Sequence, residues 1–250
     1  MRWNNGAGLP AQLLLGTGLL VLAARVLLFS QAPMAQPPAN LAAPSPQAQP
    51  APPKYVVMID PAHGGSDAGA ALNPAMPEKD VTLAFARRLR LELNKRDIEA
   101  GLVRDGDTTV SLDQRAGIVN SAQPALYLSL HAASQGNGLV LYTAMLGSGG
   151  EDRGRFLDWQ TAQSGSLVRS RWAEQQITAS IDKMGFPLRS LVAALRPLNN
   201  VTVPAIAVEV APTESEVSQL ASIDYQSMVC AALANAVVPI APALRQRTVP

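Results

Sequence analysis

The sequence predicts an α/β fold: a single domain with a mostly parallel central sheet flanked by helices, preceded by an N-terminal signal or anchor segment and a Pro/Ala-rich linker. Three observations predict it. Beyond residue 54, short β-branched runs alternate with stretches of helical periodicity, the pattern of strands joined by helical crossovers. The chain has two histidines, His63 and His131, and each sits where such an apolar run ends. Residues 31–53 consist largely of Pro, Ala and Gln without a single charge, a composition that cannot bury enough surface to fold.

The elements follow in order. Residues 1–30 begin with Arg2, continue through an apolar run at 13–24, meet Arg25, and resume at 26–29. A positive start before about a dozen apolar residues has the shape of a secretory signal. Counted across Arg25, the run nearly reaches the roughly twenty residues of a spanning helix. A cleaved signal and a retained anchor to the cytoplasmic membrane both place the rest of the chain outside that membrane. Residues 31–53 are the spacer, and residues 54–250 the folded domain. Residues 55–59 read as a strand closed by Asp60-Pro61, and His63 to Gly69 as a glycine-rich loop. In residues 78–94, Val81, Phe85, Leu89 and Leu93 recur every four positions, a helix. Residues 98–103 read as a second strand weakened by Gly101. Ser111 with Gln114 makes a capping box for the next helix. Residues 125–130 are a third strand, ending in His131, and 139–143 a fourth. The polar segment 151–170, with Trp159 inside it and Trp172 just beyond, reads as a loop and helix start, with a lid or regulatory insertion as the alternative. Residues 171–184 are helical, 205–210 a strand carrying Glu209, and 223–238 the closing helix.

Composition excludes several function classes. The net charge of +1 gives no argument for a nucleic-acid partner, which normally comes with a clustered basic surface. One cysteine, Cys230, excludes an internal disulfide and a cysteine-rich metal site; it reads as a small buried hydrophobe. Neither a G-x-S-x-G elbow nor a cysteine near a histidine is present, which argues against serine and cysteine nucleophiles.

The candidate chemistry rests on four residues. His63, Glu78 and His131 offer two imidazoles and one carboxylate; with a fourth position left to water, that donor set suits one catalytic zinc ion. Both histidines follow strands, and ligands in open sheets bind beyond the strands' carboxyl ends. Glu209 interrupts A-I-A-V-E-V, otherwise a buried-strand pattern. A carboxylate there is costly unless paired or functional, and a general base beside a cation accounts for it.

Four stretches carry a resemblance: V-V-M-I-D-P-A-H-G-G-S-D-A-G, P-E-K-D-V-T-L-A-F-A, S-L-D-Q-R-A-G-I-V-N-S-A-Q with S-L-H-A-A-S, and V-P-A-I-A-V-E-V. In their order and spacing the chain, from about Tyr55 to Val238, resembles the zinc-dependent N-acetylmuramoyl-L-alanine amidases of the type 3 amidase family, bacterial cell-wall hydrolases. The resemblance implies that His63, Glu78 and His131 are zinc ligands and Glu209 the catalytic glutamate. It implies peptidoglycan as substrate, cut between the lactyl group of N-acetylmuramic acid and the first L-alanine, in the periplasm or cell envelope. With no wall-binding repeat in the sequence, targeting falls to the anchor or to an activator protein. Asp67 and Gly69 are expected to shape the loop, Asp60 to cap a turn or support the site, and Arg104 and Arg115 to act structurally.

The chain departs from the family at Ala62, where glycine is usual and a methyl requires negative φ. It departs again in A-A-S after His131 and in V-A-P-T-E-S after Glu209. These departures support one alternative, a weak or inactive peptidoglycan-binding or regulatory module on the same fold. A zinc hydrolase of another amide or ester differs only in substrate.

Overall fold

The computed structural model describes residues 55–146, 159–214 and 216–246. The expectations for residues 1–30 and 31–53, and for 151–158, lie outside the described residues.

Five expected strands form one sheet: β1 (Val57–Pro61), β4 (Ala100–Leu102), β5 (Leu126–Ala132), β6 (Gly138–Ala144) and β8 (Ala205–Ala211). A sixth, β7 (Leu188–Ala193), was not expected. The sheet order is β4-β1-β5-β8-β6-β7, and every pair is parallel except β6 with β8. A small antiparallel hairpin, β2 (Ala71–Asn73) with β3 (Met76–Pro77), precedes the first helix. Its turn is set by Asn73, whose Oδ1 accepts the Ala75 N–H at 2.9 Å.

Helices α1 (Glu78–Asn94), α3 (Leu167–Lys183) and α4 (Ile223–Val237) bury their apolar stripes together. Val81, Phe85, Leu89 and Leu93 of α1, Ala173, Ile177 and Ile181 of α3, and Val229, Cys230 and Leu233 of α4 join Val57, Ile59, Leu128, Leu130, Leu141, Val208 and Val210 from the sheet. The alternate strand residues Met58, Tyr127, Ala205 and Ala207 pack with Ala116 and Val119 of α2 (Leu112–Ala122) and with Leu198, Val201 and Val203. The two clusters thus divide each strand by its period of two, although both faces are apolar. The α2 cap is the expected capping box: Ser111 Oγ accepts the Gln114 N–H and the Gln114 side chain accepts the Ser111 N–H.

Helix α4 runs through a 3₁₀ turn into α5 (Ala241–Gln246), a stretch apolar and long enough to cross a membrane. Its buried residues, from Tyr225 to Leu244, pack in the core, which accounts for that composition. Helix α3 starts four residues earlier than the periodicity indicated, after a 3₁₀ segment (Trp159–Ser166).

Candidate metal centre

Strands β1 and β5 lie side by side in parallel, with Pro61 opposite Leu130, so both histidines emerge at the same edge of the sheet. The chain leaves β1 through a tight loop. His63 itself takes positive φ (+62°), followed by Gly64 (+129°) and Gly65 (+60°). Ala62 is not among the positive-φ residues, so the methyl at the family's glycine position is accommodated. The left-handed conformation falls on the histidine instead, at a cost of about 1–2 kcal/mol for a non-glycine residue. It is held there by Arg115, whose guanidinium donates to the carbonyls of Pro61 (2.8 Å), His63 (2.5 Å) and Val110 (2.9 Å) and pairs with buried Asp60. The Tyr127 hydroxyl closes the other side of Asp60 at 2.6 Å. Arg104 donates to the carbonyls of Pro61, Ala62, Gly106 and Lys79.

The loop and hairpin deliver Glu78 to the same place. The Glu78 N–H donates to Ala70 O (2.8 Å) and the Lys79 N–H to Ala68 O (3.2 Å), tying the start of α1 over the strand ends. Glu78 Oε2 lies 3.1 Å from His63 Nε2, and Oε1 lies 3.0 Å from His131 Nδ1. The two rings stand edge-on with centroids 5.6 Å apart. One donor atom from each of His63, Glu78 and His131 lies within 4.8 Å of the others.

This donor set fits a divalent cation. Asp67 Oδ2 lies 2.9 Å from His63 Nδ1 and accepts a hydrogen bond from its N–H. With its Nδ1–H directed at Asp67, His63 presents Nε2 to Glu78 Oε2 at 3.1 Å, and a cation between these two atoms could take both as ligands. Burial opposes ionisation of Glu78, but hydrogen bonds from His131 and the Ala70 N–H, with the charge of the histidines, hold its carboxyl below the usual range. The hydrogen bond from His63 likewise holds the Asp67 carboxyl low, against slight burial.

Glu209 stands beside this cluster. It pairs in register with His131 across β5 and β8, so both side chains leave the same face. The Tyr142 hydroxyl donates to Glu209 Oε1 at 3.5 Å. Residues 57–238 match the N-acetylmuramoyl-L-alanine amidase family profile. The chain belongs to that family. Among curated amidases, the N-acetylmuramoyl-L-alanine amidase AmiA of Escherichia coli (strain K12) is 42% identical over 79 residues, 32% of this chain and 27% of the relative. The endolysin of Bacillus phage SPP1 is 30% identical over 158 residues, 62% of this chain and 53% of the relative. The chain therefore spans about a quarter to a half of these relatives' length. The amidase AmiC2 of Nostoc punctiforme shares the fold at a TM-score of 0.54 with 26% identity, covering 75% of this chain and 97% of that one.

Against this amidase frame, Asp67, Arg115 and Tyr142 do more than the sequence reading assigned them. Asp67 touches His63 directly; its i, i+4 spacing within H-G-G-S-D was the available signal. The partnership of Arg115 with the His63 carbonyl, 52 residues away, and of Tyr142 with Glu209, 67 residues away, left none. Asp60 supports the site from below by holding Arg115, as one of its two expected roles.

Proposed function

We propose that this chain is a zinc-dependent amidase of peptidoglycan, cutting the amide between the lactyl group of N-acetylmuramic acid and L-alanine. His63, Glu78 and His131 hold the ion, and Glu209 is the general base. The observation that carries this reading is the convergence of three donor atoms within 4.8 Å, with Glu209 next in register to one of them. A zinc ion held there supplies positive charge that polarises an amide carbonyl and makes a nearby water more acidic. Glu209 takes the proton of the attacking water and delivers it to the departing amine nitrogen. Asp67 keeps the His63 proton on Nδ1, and Arg115 keeps the His63 backbone in its left-handed conformation. Export of the domain by residues 1–30 accords with a wall substrate.

The test is metal content and product analysis. The protein is expected to hold about one zinc and to release stem peptides from cell-wall sacculi. Glu209→Gln keeps the metal and lowers kcat by at least about 100-fold, the scale of general acid–base catalysis. The His63→Ala, His131→Ala double variant loses the metal. Sacculi bound without any soluble product, or Glu209→Gln acting at the wild-type rate, overturns the reading.

A further inference from the structure

The row of the sheet that carries the site extends past Glu209. His131 pairs with Glu209, Glu209 with Val140, and Val140 with Arg189 on the edge strand β7. Residues paired across a sheet project from one face. His131, Glu209 and Arg189 therefore share a face and a line, with Arg189 two strands, about 10 Å, beyond Glu209.

Arg189 is exposed, and among the described residues no hydrogen bond or ion pair occupies its guanidinium. Four other described cations near these strand ends and loops are committed. Arg104 and Arg115 are buried and spent on loop carbonyls, Lys79 pairs with Asp107, and Arg196 with Asp113. Burial, with the charge and hydrogen bond of Glu209, raises the pKa of the Tyr142 hydroxyl that donates to Glu209, and the nearby charge of Arg189 opposes that rise. Arg189 also lines a cavity of about 470 Å³ with Gly136, Asn137, Pro187 and Leu188. Gly136 and Asn137 belong to the loop that follows β5, the strand of His131. Edge strands often carry charge to block pairing, but that would account for a cation anywhere on β7. It does not account for one in the register row of His131 and Glu209.

We propose that Arg189 is a specificity residue that binds a free carboxylate of the substrate's peptide, two or three residues beyond the cut amide. The inference rests on the amidase reading of the site. An extended peptide advances about 3.3–3.6 Å per residue, so about 10 Å corresponds to that distance along the stem. The glycan side of the bond is neutral sugar, whereas the peptide side bears carboxylates. A planar guanidinium pairs with a carboxylate through two parallel hydrogen bonds. The subsite thus gives the site a direction, with peptide toward β7.

The test uses the full chain with zinc and two soluble muropeptides of equal length, one with its stem carboxylates free and one with them amidated. For the wild type, kcat/KM is expected to favour the free form by about tenfold or more, the worth of a charge-assisted pair. Arg189→Gln brings that ratio to about 1, and Arg189→Lys keeps part of it. A ratio unchanged in Arg189→Gln, or absent in the wild type, overturns the proposal. Calorimetric titration with the free stem peptide reads the subsite without turnover: Kd is expected to rise about tenfold in Arg189→Gln, and equal affinities overturn the proposal. Failure of the wild type to cut either muropeptide sinks the amidase reading alone, because the titration still decides the subsite.

Discussion

His63 is held by its two neighbours in different ways. Arg115 fixes its backbone through the carbonyl, and Asp67 fixes its ring through Nδ1. Removing each has a distinct consequence. In Asp67→Ala the ring loses the partner that selects its tautomer, so zinc affinity is expected to fall about 10- to 100-fold. Because Asp67 is largely exposed, the melting temperature of the metal-free protein should barely move. Competition with a chromogenic chelator measures the first quantity and calorimetry the second; an unchanged affinity removes Asp67 from the site. Arg115→Met leaves Asp60 buried without its cation and is expected to cost about 3–5 kcal/mol of stability, as breaking a buried pair does. Denaturant unfolding of the metal-free variant checks it, and a loss below 1 kcal/mol contradicts the tether.

At the scale of elements, what could be read in the sequence is what repeats. Helix α1 was legible to the residue because Val81, Phe85, Leu89 and Leu93 mark its buried stripe. The α2 cap was legible because Ser111 and Gln114 stand at the capping-box spacing. Strand β7 was missed because an edge strand exposed over most of its length shows no clean alternation. The β2–β3 hairpin was missed because strands of three and two residues are shorter than any period, yet it is this hairpin that places Glu78. Helix α4 carries a pH signature. The Tyr225 hydroxyl donates to Ala211 O at the end of β8, and burial pushes its pKa up to about 12. Unfolded tyrosine titrates near 10. A folded pKa above the unfolded one contributes stability that is complete below about pH 10 and is lost as pH rises toward 12. Tyr225→Phe is therefore expected to flatten the fall of melting temperature between pH 10 and 12, while costing about 0.5–1.5 kcal/mol at neutral pH. An equally steep fall in both proteins would remove this tyrosine from the alkaline transition.

For the whole molecule, the four site residues come from separate elements: the loop after β1, the first residue of α1, and strands β5 and β8. Sequence order conceals their meeting, and the parallel register of β1, β5 and β8 creates it. A cation bound by His63, Glu78 and His131 would join that loop, the helix start and the central strand in one place. Binding to the folded chain alone stabilises it by RT ln(1 + [L]/Kd), about 2.7 kcal/mol at a hundredfold excess of free metal over Kd. For a domain of this size each kcal/mol moves the melting temperature by about 2–4 °C. Chelation of the zinc-loaded protein is thus expected to lower its melting temperature by roughly 5–10 °C, with recovery on zinc addition. The His63→Ala, His131→Ala variant should melt at one temperature with and without chelator. Glu209→Gln should keep the full shift, because Glu209 lies beside the cluster and contributes no donor to it. A shift lost in Glu209→Gln would make that residue a ligand and leave the amidase without its base; a shift retained in the double variant would place the metal elsewhere in the molecule.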